Sequence, residues 1–284
     1  MLVNLNNVLR DAKQKKYGVG LFNTVNLEMA KGVLAAAEES RSPVIIGTAE
    51  VLLPFAGLED LASLLIPLAK KATVPVVVHF DHGLTEEAVL HAMDLGFTSV
   101  MYDCSTLNFK ENCKAVSDLV KIAHAKGITV EGELGHVGAN DSSAEGTGSA
   151  GTDSSIYTEP QEALDFYNAT GVDALAVAFG TAHGAYKSTP KLDFERLKTI
   201  SERIAAPIVL HGGSGLSEQD FKKSIACGVS KLNIFTDINC AAAKAAHDFY
   251  QENDGMTDLM PSIIAAVKQA TLEKMNIFGS NGKA

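Results

Sequence analysis

The chain has 284 residues, 46% hydrophobic and 20% charged, the balance of an ordinary globular protein with ample core. Its formal net charge of −10 argues against nucleic acid as a partner, because phosphate neutralisation needs a basic surface. No apolar run approaches the ~20 residues of a membrane helix, and "MLVNLNNVLRDAKQKK" shows no secretory signal, so no membrane partner is expected and a cytoplasmic location is. Cys104, Cys113, Cys227 and Cys240 form no CxxC pair and are expected as reduced, structural thiols.

Short runs rich in valine and isoleucine recur along the chain. They are "YGVGLFN" (17–23), "SPVIIGT" (42–48), "VPVVVHFD" (74–81), "TSVMYD" (98–103), "GITVEGELG" (127–135), "ALAVAFG" (174–180), "APIVLHGG" (206–213) and "KLNIFT" (231–236). Amphipathic helical stretches lie between them, among them "NLEMAKGVLAAAEES", "TEEAVLHAMDLG" and "CKAVSDLVKIAHAKG". Pro43, Pro75, Gly127, Gly171 and Pro207 end helices just before strands. Strands apolar throughout imply a parallel sheet covered on both faces. Eight such units predict a (β/α)8 TIM barrel, a single domain over 1–284. A doubly wound sheet would show a glycine fingerprint after its first strand, which "GLFNTVN" is not. A Gly-, Ser- and Thr-rich loop at about 136–158 is expected to be a mobile lid, and a C-terminal helix is expected at about 261–275.

The strand tips are polar. Asn23, Thr48, Asp81, His82, Asp103, Glu133, His183, His211, Ser214 and Asn233 all fall where strands end, the catalytic face of such a barrel. His82, His183 and His211, each followed by glycine, come from the third, sixth and seventh strands, and three imidazoles suit zinc or another divalent ion with open coordination positions. Alternation puts His79 and Asp81 on one side and His82 on the other, so His82 serves only if the third strand ends near Asp81. His79 reads as structural support. "HGGSG" (211–215) and "NIFT" (233–236) follow the last two strands, the usual phosphate site of the fold. A metal that polarises a carbonyl, a carboxylate that moves a proton and a phosphate cradle together describe aldol cleavage of a phosphorylated ketose. A Schiff-base route would need a lysine at the barrel centre, and Lys231 is expected at the opposite end of its strand. A metallohydrolase would typically carry an HxH pair on the first strand, and a silent subunit would have lost a ligand or Asp81.

"HFDHG", "EGELGHVG", "GTAHGAY", "LHGGSG" and "KLNIFT" resemble, in order and spacing, the motifs of the class II, zinc-dependent ketose-bisphosphate aldolases, nearest the tagatose- and fructose-bisphosphate branch. The resemblance implies that Asp81 is the proton-transfer acid and that His82, His183 and His211 bind zinc. Asp103 and Glu133 would form a second metal position or hydrogen-bonded support for His82. Gly184, Gly212, Gly213, Ser214, Asn233, Ile234, Phe235 and Thr236 would contact dihydroxyacetone phosphate, with Asn233 also steadying the enediolate and Asn23 and Thr48 as further contacts. Backbone oxygens near Gly184 and Gly212 would hold a monovalent cation, and a homodimer or homotetramer is implied. The family's lid glutamate falls in register on Asn140, leaving Asp141 or Glu145 as the lid base, with Glu145 favoured. Phe235 stands where some fructose-specific members carry aspartate, which weakens the expectation of fructose 1,6-bisphosphate. Tyr186 and Lys187 would line the far end of the site. The alternatives are an aldolase for an acidic or sulfonated ketose, or a silent aldolase-like subunit.

Overall fold

A computed structural model describes residues 1–135, 137, 157–182 and 190–284. The strands are β1 (Leu2–Val3), β2 (Val19–Asn23), β3 (Val44–Ala49), β4 (Val76–Gly83), β5 (Ser99–Tyr102), β6 (Thr129–Leu134), β7 (Ala174–Val177), β8 (Ile208–Leu210) and β9 (Val229–Ile234). The helices are α1 (Leu5–Lys15), α2 (Leu27–Ser40), α3 (Leu58–Lys71), α4 (Glu86–Leu95), α5 (Phe109–Ala125), α6 (Pro160–Thr170), α7 (Phe194–Arg203), α8 (Glu218–Ala226), α9 (Thr236–Phe249) and α10 (Met256–Phe278). Strands β2 to β9 pair in parallel and in sequence, β2 also pairs with β9, and the ring closes as an eight-stranded barrel; β1 adds outside the ring on β4. The alternating apolar runs thus close as a (β/α)8 barrel, with helices covering the outer face. No helix among the described residues is long and apolar enough to cross a membrane.

Local chemistry sets the element ends. Asn26, Thr85, Asn108, Asp193 and Ser217 each accept a backbone N–H with the side chain at a helix start. Gly96, Gly171 and Gly279 take the left-handed conformation at helix ends. Several predicted strand limits move by a few residues, and two of these shifts bear on the site. β4 continues to Gly83 rather than stopping at Asp81, and β9 runs from Val229 to Ile234, leaving Phe235 and Thr236 to lead into α9.

The barrel interior is layered. At its base Val19, Leu21, Ile45, Val77, Ala174, Ala176 and Val209 pack on Leu5, Val8, Leu9 and Ala12 of α1, which closes the bottom as a plug. Alternate strand residues such as Val44, Ile46, Val78, Leu232 and Ile234 turn outward to the helices. Above the plug the inward positions turn polar: His79, Asp81, Glu131, Glu133, His211, Lys231 and Asn233, all buried. The apolar plug keeps water from the underside of that layer.

Leu21 is fully buried in the plug, so Leu21→Ala is expected to destabilise the fold by about 2–5 kcal/mol, read from the midpoint of denaturant unfolding. An unchanged midpoint would show that the base of the barrel is not close-packed.

Candidate metal and proton-transfer site

The structure brings Asp81, His82 and His211 together: ligand atoms from the three lie within 4.8 Å of one another. Simple alternation would turn His82 out of the barrel. Instead His82 has φ of 42°, and the β4–β5 register shifts between Phe80 and Gly83. This bulge re-aims the ring inward, where its centroid lies 4.4 Å from that of His211. A non-glycine residue in this region is strained, and such strain is held only where surroundings enforce it. Here Gly83 allows the tight approach, since a Cβ on it would sit 2.7 Å from the Met101 carbonyl oxygen.

Each imidazole is oriented by a carboxylate. His82 Nδ1 lies 2.8 Å from Asp103 Oδ2, while Asp103 Oδ1 accepts from the backbone N–H and hydroxyl of Ser105 at 3.1 and 2.6 Å. His211 Nε2 lies 2.8 Å from Glu131 Oε1, and its Nδ1 lies 3.1 Å from Glu133 Oε2. Asp103 thus engages Nδ1 of His82, and a carboxylate lies near each ring nitrogen of His211. Asp103, His82 and Glu133 also form a second group with ligand spacing, so the carboxylate pair retains both of its anticipated uses.

Asp81 is 1% exposed and accepts two amides: Asn23 Nδ2 donates to Oδ2 at 2.9 Å, and Asn233 Nδ2 donates to the two oxygens at 3.1 and 3.0 Å. Burial alone would raise its pKa. Lys231, His82, His79 and His211 outweigh burial and hold it well below the usual carboxylate range. His79 fits its supporting part, with Nδ1 2.7 Å from Ser99 Oγ and Nε2 3.5 Å from Asp81 Oδ1. Burial and the Lys231 charge lower its pKa, keeping it neutral.

Lys231 corrects an expectation. Its side chain is not at the far end but fully buried in the barrel, with Nζ 2.9 Å from Glu131 Oε2 and 2.8 Å from Asn233 Oδ1. β9 begins at Val229, which makes Lys231 an inward residue in phase with Asn233, and its four-carbon stem spans the interval to the polar layer. A Schiff-base role still does not follow, because this amine is enclosed and engaged with a carboxylate and an amide oxygen. Glu131 was missed altogether. The available signal was period two, Glu131 and Glu133 on one face of β6, as Lys231 and Asn233 are on β9.

Thr48 lies elsewhere. On β3 it shares the phase of Val44 and Ile46, which face the helices, so its buried side chain turns away from the cluster. Ile234 also turns outward, leaving only its backbone available to a substrate. The loops after β8 and β9 do meet: Gly213 N–H donates to Asn233 O at 3.2 Å, and Phe235 N–H donates to Ser214 Oγ at 3.3 Å. Gly212 has φ of 66°, and a Cβ there would lie 2.4 Å from Ala182 O. Thr236 opens α9 directly after the contact between Phe235 and Ser214. His183, Gly184, Asn140, Asp141, Glu145, Tyr186 and Lys187, and with them most of the expected lid, lie outside the described residues.

The donor chemistry fits a divalent cation. Asp81, Glu131 and Glu133 are all within 1% of full burial, and Lys231 is the buried ammonium among them. Burial would lower the His82 pKa, but Asp81, Asp103 and Glu133 raise it to about 10, and the neighbouring glutamates also raise that of His211. A divalent ion would replace two imidazolium charges one for one.

A (β/α)8 barrel with imidazoles and a buried, ionised carboxylate at the C-terminal strand ends is the frame of a metal-dependent lyase or hydrolase. Comparison with known proteins decides between them. The family described as fructose-bisphosphate aldolase class-II matches residues 3–283, and the chain belongs to that family. It is thereby an aldolase, a carbon–carbon lyase, of a metal-dependent class. It is similar to the uncharacterized protein YdjI of Escherichia coli K12, 41% identical over 284 residues and the whole of both chains. It is also similar to a fructose-bisphosphate aldolase of Geobacillus stearothermophilus, 39% identical over 289 residues, covering all of this chain and 99% of the other. Among solved structures, the YdjI aldolase of Escherichia coli K12 superposes over the whole of both chains with a TM-score of 0.89 at 38% identity. A putative fructose-1,6-biphosphate aldolase of Coccidioides immitis gives a TM-score of 0.89 at 29% identity, over 99% of this chain and 97% of that one.

Because the folded-state pKa values of both histidines are raised, protons would compete at neutral pH with a divalent ion held there. Zinc affinity is therefore expected to rise with pH from 6 to 9, with net proton release on binding. Titration calorimetry in buffers of different ionisation enthalpy reads that release directly; pH-independent affinity would remove these imidazoles from the metal site.

Proposed function

We propose that this protein catalyses reversible, zinc-dependent aldol cleavage of a ketose 1-phosphate or 1,6-bisphosphate, giving dihydroxyacetone phosphate and an aldehyde. The observation that carries the reading is Asp81: a fully buried carboxylate kept ionised beside two inward imidazoles. An ionised carboxylate at that position is a base ready for the substrate's C4 hydroxyl.

His82 and His211, with His183, would hold the ion, and when bound it supplies Lewis acidity to the substrate's C2 carbonyl. The loops at Gly212–Ser214 and Asn233–Thr236 bind the C1 phosphate through backbone N–H groups, the Ser214 hydroxyl and the start of α9. This anchor fixes the reacting carbons over Asp81. Asp81 takes the C4 hydroxyl proton as the C3–C4 bond breaks, the aldehyde leaves, and the bonding pair passes toward C2. Asn23 and Asn233 hold the Asp81 carboxylate in line for that transfer. Protonation at C3 is assigned to Glu145 or Asp141, and the cycle closes when Asp81 returns its proton to solvent and that acid regains one. Imidazole donors favour zinc as the metal, and Asp103 with Glu133 would take a second ion. A cytosolic homo-oligomer is part of the same reading, with Phe249, Tyr250 and Met256 supplying exposed apolar surface for a second copy.

Dihydroxyacetone phosphate release should be measured across a panel of ketose 1-phosphates and 1,6-bisphosphates, with zinc and with a chelator. Release that the chelator abolishes is expected, and no release from any ketose by zinc-loaded protein would sink the reading. Asp81→Ala is expected to lower turnover about 10²–10⁴-fold with zinc still bound, whereas His211→Ala should lose zinc as well. Near-parental turnover in Asp81→Ala, by the same assay, would take the proton-transfer role from Asp81.

A further inference from the structure

Lys231 is among the largest fully buried side chains of the barrel. The ammonium meets Glu131 Oε1 and Oε2 at 3.1 and 2.9 Å and Asn233 Oδ1 at 2.8 Å, with Asp81 Oδ1 at 3.8 Å. An ammonium can only donate, so the Asn233 atom that faces it must be the amide oxygen. An ionised carboxylate can only accept, so the atom that faces Asp81 must be the amide nitrogen. The two constraints act on opposite ends of one planar group and allow Asn233 one orientation. Glu131 is tied in the same way, since the carboxylate that holds Lys231 also accepts from His211 Nε2 at 2.8 Å.

We propose that Lys231 is a positioning residue for proton transfer: through the Asn233 amide it fixes the Asp81 carboxylate, and through Glu131 it fixes the His211 ring. The part concerning Asp81 rests on the aldol reading above. Stability does not account for a lysine here. A buried ion pair is commonly no more stabilising than apolar side chains of similar volume. The same barrel uses such side chains one layer below, at Leu21, Ile45, Val77 and Val209. What the ammonium adds over an apolar residue is direction: a fixed donor that sorts the two ends of an amide and holds a carboxylate by both oxygens.

The test compares zinc-loaded parent protein with Lys231→Met, which keeps the stem and removes the charge. Should the unpaired Glu131 prevent folding, the charge-balanced pair Lys231→Met/Glu131→Gln replaces it, because glutamine still offers His211 an acceptor oxygen. In the folded variant, kcat is expected to fall roughly 10- to 100-fold at nearly unchanged KM and with one zinc retained, the loss typical of a misplaced reacting group. Added to Asn233→Ala, the same change is expected to cost less than it does in the parent, because one of the two residues through which it acts is gone. Without substrate, the Asn233 Nδ2 protons, followed by NMR after selective asparagine labelling, are expected to exchange on the order of tenfold faster. Parental kcat with parental amide exchange, or a loss fully additive to that of Asn233→Ala, would overturn the proposal. A parent protein that cleaves no ketose phosphate would instead overturn the aldol reading, and the exchange rate would still decide whether Lys231 holds Asn233.

Discussion

The interior of this barrel depends on balancing buried charge. Asp81, Glu131 and Glu133 are almost wholly buried, and an uncompensated carboxylate there would cost several kcal/mol. One ammonium, Lys231, and the imidazoles of His82 and His211 provide the compensation within hydrogen-bonding distance or close to it. The directions of the pKa shifts follow. Glu131 would be raised by burial, yet Lys231, His211 and His79 bring it down to about 2. His82 moves the opposite way for the matching reason. The site is thus a lattice of alternating charges in which a divalent ion would be one member, and on the proposed reading the substrate's phosphate is received outside it, at the loops after β8 and β9.

That separation explains the division of the barrel along its axis. The plug under the polar layer is built from aliphatic side chains and α1, which denies water a second route to the carboxylates. The polar layer holds charge in rigid strand positions. The top is made of loops with glycines, where backbone must approach backbone, as Gly212 approaches Ala182. On the proposed mechanism precision is needed most at Asp81, and both amides on it come from strands rather than loops.

Much of this was legible in the chain because it is local. Valine and isoleucine runs, prolines and glycines at their edges, and polar residues at their tips are patterns a few residues long, and they map onto eight closed strands. What was not legible is relational. His82 turns inward through a bulge set by β5, which alternation within one strand cannot reveal. Thr48 sits at a strand tip but on the outer phase, a distinction of one residue. Lys231 reads as a residue at the wrong end of its strand until Glu131, 100 residues earlier, is placed beside it. A buried lysine has meaning only with its partner in hand.

The same long reach has a consequence for how the protein is made. Asp81 and Asn233 are 152 residues apart, Lys231 and Glu131 are 100 apart, and His211 and Glu131 are 80 apart. During synthesis the first half of the barrel therefore emerges with its carboxylates and His82 but without the lysine, amide and second imidazole that accommodate them. Those acids must stay hydrated until the last strand arrives, and a half-barrel cannot close around them. Acquisition of a catalytic ion is then coupled to completion of the chain, so that a truncated product of translation would neither fold into this interior nor retain the metal.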